Sequence, residues 1–486
     1  MSSAPRHHVH RHLPAGPRAP RLKQLQWLAE DPHGLYRRNY DEFGPMFTLQ
    51  VMAYPWVILG DADLLREVFR GTSDDFHSDA DGIKFLLGPE ALLFMNGAQH
   101  RAERKVMQPP FKKTRVDDYA AGMLRNASEA VGTLRAGETV HAQHFFADIT
   151  LRTIIECVFG ITDEARAARL HDLFGFSMRT MQRPAVGALS MTVGGARVRA
   201  AIKAGTDLSR ARYGKPARPA RTTLGKLFDA RREVLDIIGI ELAAARKTAP
   251  GDRLDVLAEL VHARYEDGSQ MSDAAILDEL NMLLIGGHDT SAITMSWVLY
   301  YLAQDLSEGG KVTARVRNEL SEAFGDGPVD PAAVHRLTYL QAVIDEVSRL
   351  RPVANAVSRR LTRPMVLGDF ALPEGTVVLP SPTIMHYRED IWPDPERFDP
   401  ERFLGTRPSP FHFLPFGGGS RACLGRPFAA TQMRVVLAEV LRRVDFARLP
   451  GTTTKDAMNG VLIGPNDAVP LAITNVRTPT RARRAA

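Results

Sequence analysis

The sequence predicts a single domain that is mainly α-helical with a small β region. Apolar residues recur at helical spacing through most of the chain from Asp61 onward. Strand-like patterning is confined to residues 45–60 and 358–381, near the two ends. Length alone would allow about three domains of ordinary size, but the 486 residues contain no Ser/Gly linker long enough to separate one domain from another.

The elements follow in order. Residues 1–22 form a basic arm, with Arg6, His7, His8, His10, Arg11, His12, Arg18 and Arg21 ahead of the first acid at Glu30. Pro5, Pro14, Pro17 and Pro20 would break an amphipathic targeting helix, so the arm reads as solvated and mostly disordered. The domain is then residues 23–475, followed by a basic tail at 476–486. Two strands are expected around Ala53-Tyr54-Pro55. Helices are expected at 62–69, 115–134, 147–159 and 163–181, the last with Thr162 as N-cap. Residues 184–223 lack regular apolar periodicity and carry Gly187, Gly194, Gly195, Gly205 and Gly214. Helices resume at 227–245, 252–265, 272–305, 311–324 and 424–444.

Composition narrows the function classes. At 44% apolar and 24% charged the chain is an ordinary globular protein. The charge-free run 290–304 falls short of the roughly 20 residues a membrane span needs. Two cysteines, Cys157 and Cys423, offer no disulfide framework, which fits a cytoplasmic protein. A net charge of +6 without basic–aromatic interleaving points to an acidic protein partner rather than nucleic acid.

The chemistry concentrates at residues 416–425. Cys423 follows Gly417, Gly418 and Gly419 and precedes a helix with Pro427 in its first turn. A helix N-terminus lowers a thiol pKa, through the dipole and through N–H groups aimed at sulfur. The glycines permit positive φ and close approach to a flat ligand. Arg421 can pair with a carboxylate on that ligand's rim. One thiolate with a cation beside it suits haem held from one side by sulfur. Cys157 lies in an apolar run with none of this and reads as packing.

The pattern Phe-x-x-Gly-x-Arg-x-Cys-x-Gly, met by Phe416, Gly419, Arg421, Cys423 and Gly425, resembles the haem-ligand loop of the cytochromes P450 at all its fixed positions. The resemblance extends from about Leu22 onward. It implies a single-domain helical prism of the soluble bacterial type, haem b as cofactor and Cys423 as the iron ligand.

Within the longest predicted helix, Gly286-Gly287-His288-Asp289-Thr290-Ser291 places two glycines that cost about 1 kcal/mol each against alanine. They make sense where the helix opens beside a flat ligand and leaves a carbonyl free. The segment is similar to the family's distal oxygen-activation motif, which implies Asp289 and Thr290 as an acid–alcohol proton relay; His288 receives no role. Glu346 and Arg349 share one helix face. With Arg402, from a loop similar to one in the family, they are expected to form a charge network beneath the cysteine loop. His100 and Arg104, one helical turn apart, resemble the family's propionate-binding helix. Arg359 matches a strand arginine with the same role, with the adjacent Arg360 as the alternative.

These readings imply a monomeric haem-thiolate monooxygenase of secondary metabolism that hydroxylates or epoxidises a hydrophobic organic substrate with O2. The substrate is expected to be a bulky terpenoid or polyketide. The alternatives are a fatty-acid hydroxylase, a peroxide-driven peroxygenase, and a non-catalytic haem-binding protein. No NAD(P)H or flavin motif is present, so electrons are expected from an acidic ferredoxin with its reductase, docking beside Lys105, Lys112, Lys113 and Arg426.

Overall fold

The computed structural model describes residues 10, 12–51, 54–78, 87–181, 223–459 and 462–477. Asp31 closes α1 (Arg21–Glu30) and opens α2 (Pro32–Phe43), its carboxylate accepting from Gly34 N at 2.9 Å. The expected hairpin forms from β1 (Met46–Leu49) and β2 (Trp56–Leu59). Next come α3 (Ala62–Arg70), β3 (Phe76–His77), α4 (Gly97–Met107), α5 (Lys113–Thr133), β4 (Thr139–His141), α6 (Ala142–Cys157) and α7 (Glu164–Met181). The second helical group is α8 (Thr223–Ala245), α9 (Val256–His262), α10 (Asp273–Ser307), α11 (Lys311–Phe324) and α12 (Thr338–Leu350). Then follow β5 (Arg359–Leu361), β6 (Met365–Leu367), β7 (Phe370–Leu372), β8 (Val377–Pro380) and α13 (Pro382–Tyr387). The chain ends with α14 (Arg426–Arg443), β9 (Val444–Arg448), β10 (Asp456–Asn459), β11 (Leu462–Pro465) and β12 (Pro470–Val476).

The helices dominate, as the sequence predicts. α10 is apolar on every side through Ile293, Met295, Trp297, Val298 and Leu302, all fully buried, so it can only run through the interior. It packs along α6, while α14 packs on α5. Ser272 caps α10 by accepting from Ala275 N at 3.0 Å. At the far end Asp305 accepts from Val312 N and Thr313 N and so opens α11. The main sheet has the order β1-β2-β8-β5-β3, with β2 and β8 parallel. A second sheet, β4-β12-β9, and the hairpins β6–β7 and β10–β11 complete the β portion. Among the described residues no helix is long and apolar enough to cross a membrane.

Several boundaries differ from expectation. The arm is tied down from its middle onward: Thr48 Oγ1 donates to Pro14 O at 2.7 Å, and Gln24 Nε2 donates to Pro17 O and Ala19 O. His10 pairs with the backbone around Phe370. Prolines forbid a helix there but leave carbonyls that the body uses. At the other end Val476 still belongs to β12, and Arg477 pairs with Asp445 at 2.6 Å, so the tail begins later than residue 476. Asp163, not Thr162, caps α7 by accepting from Arg166 N at 2.8 Å. The helix expected at 252–265 shortens because Asp255 caps it at Ala258 N and a turn at Tyr265 follows it. α6 starts five residues before position 147, since Val469 O and Ala468 O accept its first N–H groups. The glycine-rich stretch at 184–222 lies outside the described residues.

Candidate functional site

The cysteine loop is shaped by its glycines. Gly417 (φ +66°) and Gly419 (φ +69°) adopt the left-handed conformation, as expected. Close approach falls mainly on α3: a Cβ on Gly418 would meet the Phe69 ring at 2.4 Å, and one on Gly419 would meet Phe69 O at 2.8 Å. Cys423 N donates to Phe416 O at 2.9 Å, which closes the loop. Gly425 is the N-cap of α14, so Cys423 lies just ahead of that helix end, and the N–H groups of Gly425 and Arg426 reach its sulfur.

The thiol pKa nevertheless departs from expectation. Burial raises it above the ordinary value and outweighs the lowering by those N–H groups and by Arg104 and Arg426. Cys423 is therefore walled in by protein while its surface is exposed. Cys157 is the contrast: it sits in the main core, with its thiol pushed up by burial.

Four basic side chains converge beside the cysteine. His100 and Arg104 come from α4, Arg421 from the loop and Arg359 from β5. Arg104 Nη2 donates to Ala422 O at 2.7 Å, next to the cysteine. Arg421 Nη2 donates to Met95 O at 2.8 Å and Asn96 Oδ1 at 2.7 Å. Arg359 reaches Ser358 O and Gly418 O. Strand alternation separates Arg359 from Arg360, which turns away to stack over Tyr54 at 4.5 Å and bond Gly375 O. Burial and the neighbouring Arg421 depress Arg359 to about 10; burial and Arg104 depress Arg421 to about 10. Burial together with all three arginines holds His100 near 4. His100 Nδ1 and Arg421 Nε are buried without partners. The site has the charge and the orphan donors for a dianion that protein groups do not supply.

On the distal side α10 stays continuous. Gly287 is a packing notch, since its Cβ would meet Ile154 at 2.8 Å, whereas Gly286 has nothing within 4 Å. Thr290 Oγ1 donates to Gly286 O at 2.9 Å, so that carbonyl is not left free. Such hydroxyl back-bonding to the i−4 carbonyl slightly weakens the helix there. Asp289 Oδ1 lies 3.3 Å from His288 Nε2.

The charge network forms as expected and is more extensive. Glu346, fully buried, accepts from Arg349 Nε at 2.7 Å and Nη2 at 2.8 Å, from Arg402 Nε at 3.2 Å and from Asp399 N at 2.9 Å. Arg349 also donates to His386 O and Pro395 O. His386, missed by sequence reasoning, joins this network to the cysteine loop: Leu414 N donates to its Nε2 at 3.0 Å, so the proton sits on Nδ1, which faces Arg349 O. Burial and Arg349 depress it to about 3. Asn96, holding Arg421 and accepting from Ser78 N, was also missed. A lone asparagine or histidine carries no sequence signature.

An exposed cysteine, space beside Gly286 and four basic groups together suit an anionic group carrying a metal. Comparison with known proteins gives the family. The sequence profile described as cytochrome P450 matches residues 14–192 and 212–470. The chain is 31% identical over 477 residues to the protein named as cytochrome P450 135B1 of Mycobacterium tuberculosis, covering 96% of this chain and 92% of that one. It is 30% identical over 459 residues to that organism's cytochrome P450 138, covering 94% and 95%. Among solved structures, a cyanobacterial CYP120A1 with retinoic acid bound superposes at a TM-score of 0.78, with 24% identity over 96% of this chain and 100% of that one. The haem domain of cytochrome P450DA superposes at 0.79, with 19% identity over 97% and 98%. The chain belongs to the cytochrome P450 family: it is a monooxygenase that uses haem b, O2 and electrons from a separate redox partner.

Proposed function

We propose that this enzyme is a haem-thiolate monooxygenase in which Cys423 ligates the iron and Asp289 and Thr290 serve the distal side. The carrying observation is the exposed Cys423 beside four basic groups that have no carboxylate partner among the described residues. His100, Arg104, Arg359 and Arg421 would hold the two propionates by charge-assisted hydrogen bonds. Bound there, haem supplies oxygen activation, which a thiolate favours by donating electron density. The protein's share is position, protons and exclusion of water. Thr290 holds its hydroxyl at the Gly286 carbonyl, from where it can pass a proton to the distal face, with Asp289 one residue away. Glu346, Arg349 and Arg402 fix the ligand loop, with His386 as the link. A reduced, CO-bound sample should show the red-shifted Soret band of a thiolate ligand; retention of that band in Cys423→Ala would refute the assignment.

The finer partner reading is an acidic ferredoxin. Lys105, Lys112, Lys113 and Arg426 are all exposed, Lys105 in a surface ion pair with Glu266 at 2.5 Å. Reduction should slow as ionic strength rises. For the substrate, the described lining is apolar: Leu87, Ala91 and Phe94 cluster with Met282 and Ile285, and Val357 faces Gly417. A bulky terpenoid or polyketide fits such a wall. The expected contributions of 79–86, 184–222 and 460–461 lie outside the described residues. Titrating fatty acids and bulky polycyclic or macrocyclic ligands against the ferric protein should give the tighter spin shifts with the bulky class. Shifts for fatty acids alone would overturn that choice.

A further inference from the structure

We propose that His288 is a positioning residue for Asp289: its imidazole, braced against α6, fixes the orientation of the carboxylate. The inference rests on the distal role of Asp289 proposed above. Neighbouring residues on a helix do not face each other, yet His288 Nε2 lies 3.3 Å from Asp289 Oδ1. The ring is the immobile member of the pair. It is buried, its Nδ1 lies 3.1 Å from Thr150 Oγ1, and it sits edge-on to Phe174 with centroids 5.4 Å apart. Asp289 is thus placed by a side chain anchored on α6 and α7 as well as by its own helix.

The donor pattern supports this. A carboxylate only accepts, so the ring nitrogen facing it, Nε2, is the protonated one; the single Thr150 hydroxyl proton lies within reach of both Nδ1, at 3.1 Å, and Ala147 O, at 3.0 Å. Burial lowers the His288 pKa, which keeps the ring a neutral donor. The ionisable groups around it are Asp289 on α10, Asp148 on α6 and His171 on α7. The last two lie 3.2 Å apart.

The test uses His288→Phe, which keeps a ring against Phe174 but donates nothing, and His288→Gln, whose amide can donate to Asp289 and accept from Thr150. Asp289→Asn is the reference. The probe is the ligand from the spin-shift panel with the tightest shift, with the redox partner supplied. His288→Phe should lower kcat and the share of electrons reaching product about tenfold, as loss of the polar contact that orients the carboxylate would, with KM unchanged. His288→Gln should recover most of both. Crystal structures of the variants, with or without haem, should show the Asp289 carboxylate turned away in Phe and in place in Gln. The double variant His288→Phe/Asp289→Asn should be no worse than Asp289→Asn alone. Wild-type turnover in His288→Phe with the carboxylate in place would overturn the proposal. So would a Gln variant as impaired as Phe, which would mean that the ring itself transfers the proton. Should Asp289→Asn match wild type, the distal role of Asp289 would fail instead. Thermal midpoint and haem content of each variant identify a folding defect, and the Gln variant then carries the decision.

Discussion

Glu346→Ala offers the sharpest check on how the fold holds its ligand loop. The substitution removes the acceptor for two arginines and the Asp399 N–H at once. Breaking a buried ion pair by deleting one partner costs about 3–5 kcal/mol, because the survivor is left charged in a poor solvent. Arg349 meets that condition, with no exposure of its side chain; Arg402 is slightly exposed and keeps carbonyl contacts to Pro393 and Asp394, so its share is smaller. The lower end of the range is therefore expected, since Arg349 also keeps His386 O and Pro395 O. Against a typical total of about 5–15 kcal/mol this should largely prevent haem loading. Urea midpoints and the reduced-CO spectrum would measure both effects. Replacing Glu346 and Arg349 together with leucine should cost less than Glu346→Ala alone, because no buried charge remains at that pair. Full haem occupancy in Glu346→Ala, with a loss under about 1 kcal/mol, would refute the reasoning.

Other outcomes follow from the same geometry. Thr290→Ala should keep haem and ligand binding but divert electrons into peroxide, read as peroxide yield per NAD(P)H; unchanged coupling would remove Thr290 from proton delivery. Gly419→Ala should cost about 1–3 kcal/mol and lower haem content, being both left-handed and against Phe69 O, while Gly132→Ala in α5, with open space around it, should stabilise by up to about 1 kcal/mol. Acid should weaken the fold between pH 6.5 and 4: buried His33 (about 4) and His386 (about 3) stay neutral in the folded chain while the unfolded chain takes up protons from 6.5 downward. At pH 5 each removes about 2 kcal/mol, and Asp345, raised to about 6 by burial, returns about 1, so urea midpoints should fall clearly from pH 7.5 to 5. Finally, Arg359→Gln should stabilise the haem-free protein but weaken haem retention, in denaturation and haem-transfer assays; the same sign in both would contradict the cradle.

Legibility in the sequence followed the reach of each interaction. Helices such as α10 and α11 could be read almost to the residue because periodicity and caps are local, with Ser272 at one start and Gly325 just past one end. Cys423, Arg421 and the glycines were legible because their chemistry needs them close together in the chain. Glu346 and Arg349 share a helix face, but Arg402 reached the network only through resemblance to a family loop. His386 was illegible, since its three links, two to Arg349 and one to Leu414, join residues distant in sequence. The arm was misread for a related reason: proline excludes helix, yet says nothing about whether Pro14 O will find Thr48. The choice between Arg359 and Arg360 needed the strand's facing, which three residues of β5 do not reveal by pattern.

The site carries costs that the rest of the fold has to offset. Arg359 and Arg421 are buried beside other arginines that lower their pKa values, burial raises the Cys423 thiol, and a Cβ on Gly286 would meet nothing within 4 Å. Each is unfavourable in the protein alone, and under the proposed haem site each would reverse: the arginines would gain a counter-charge, the sulfur a cation and the open face a packing partner. Stability in the absence of haem must then come from elsewhere, from the apolar surround of α10 and from Glu346 with its arginines. That division explains why neutralising Arg359 is expected to act with opposite signs on the two forms. A purely structural arginine would instead lower the stability of both.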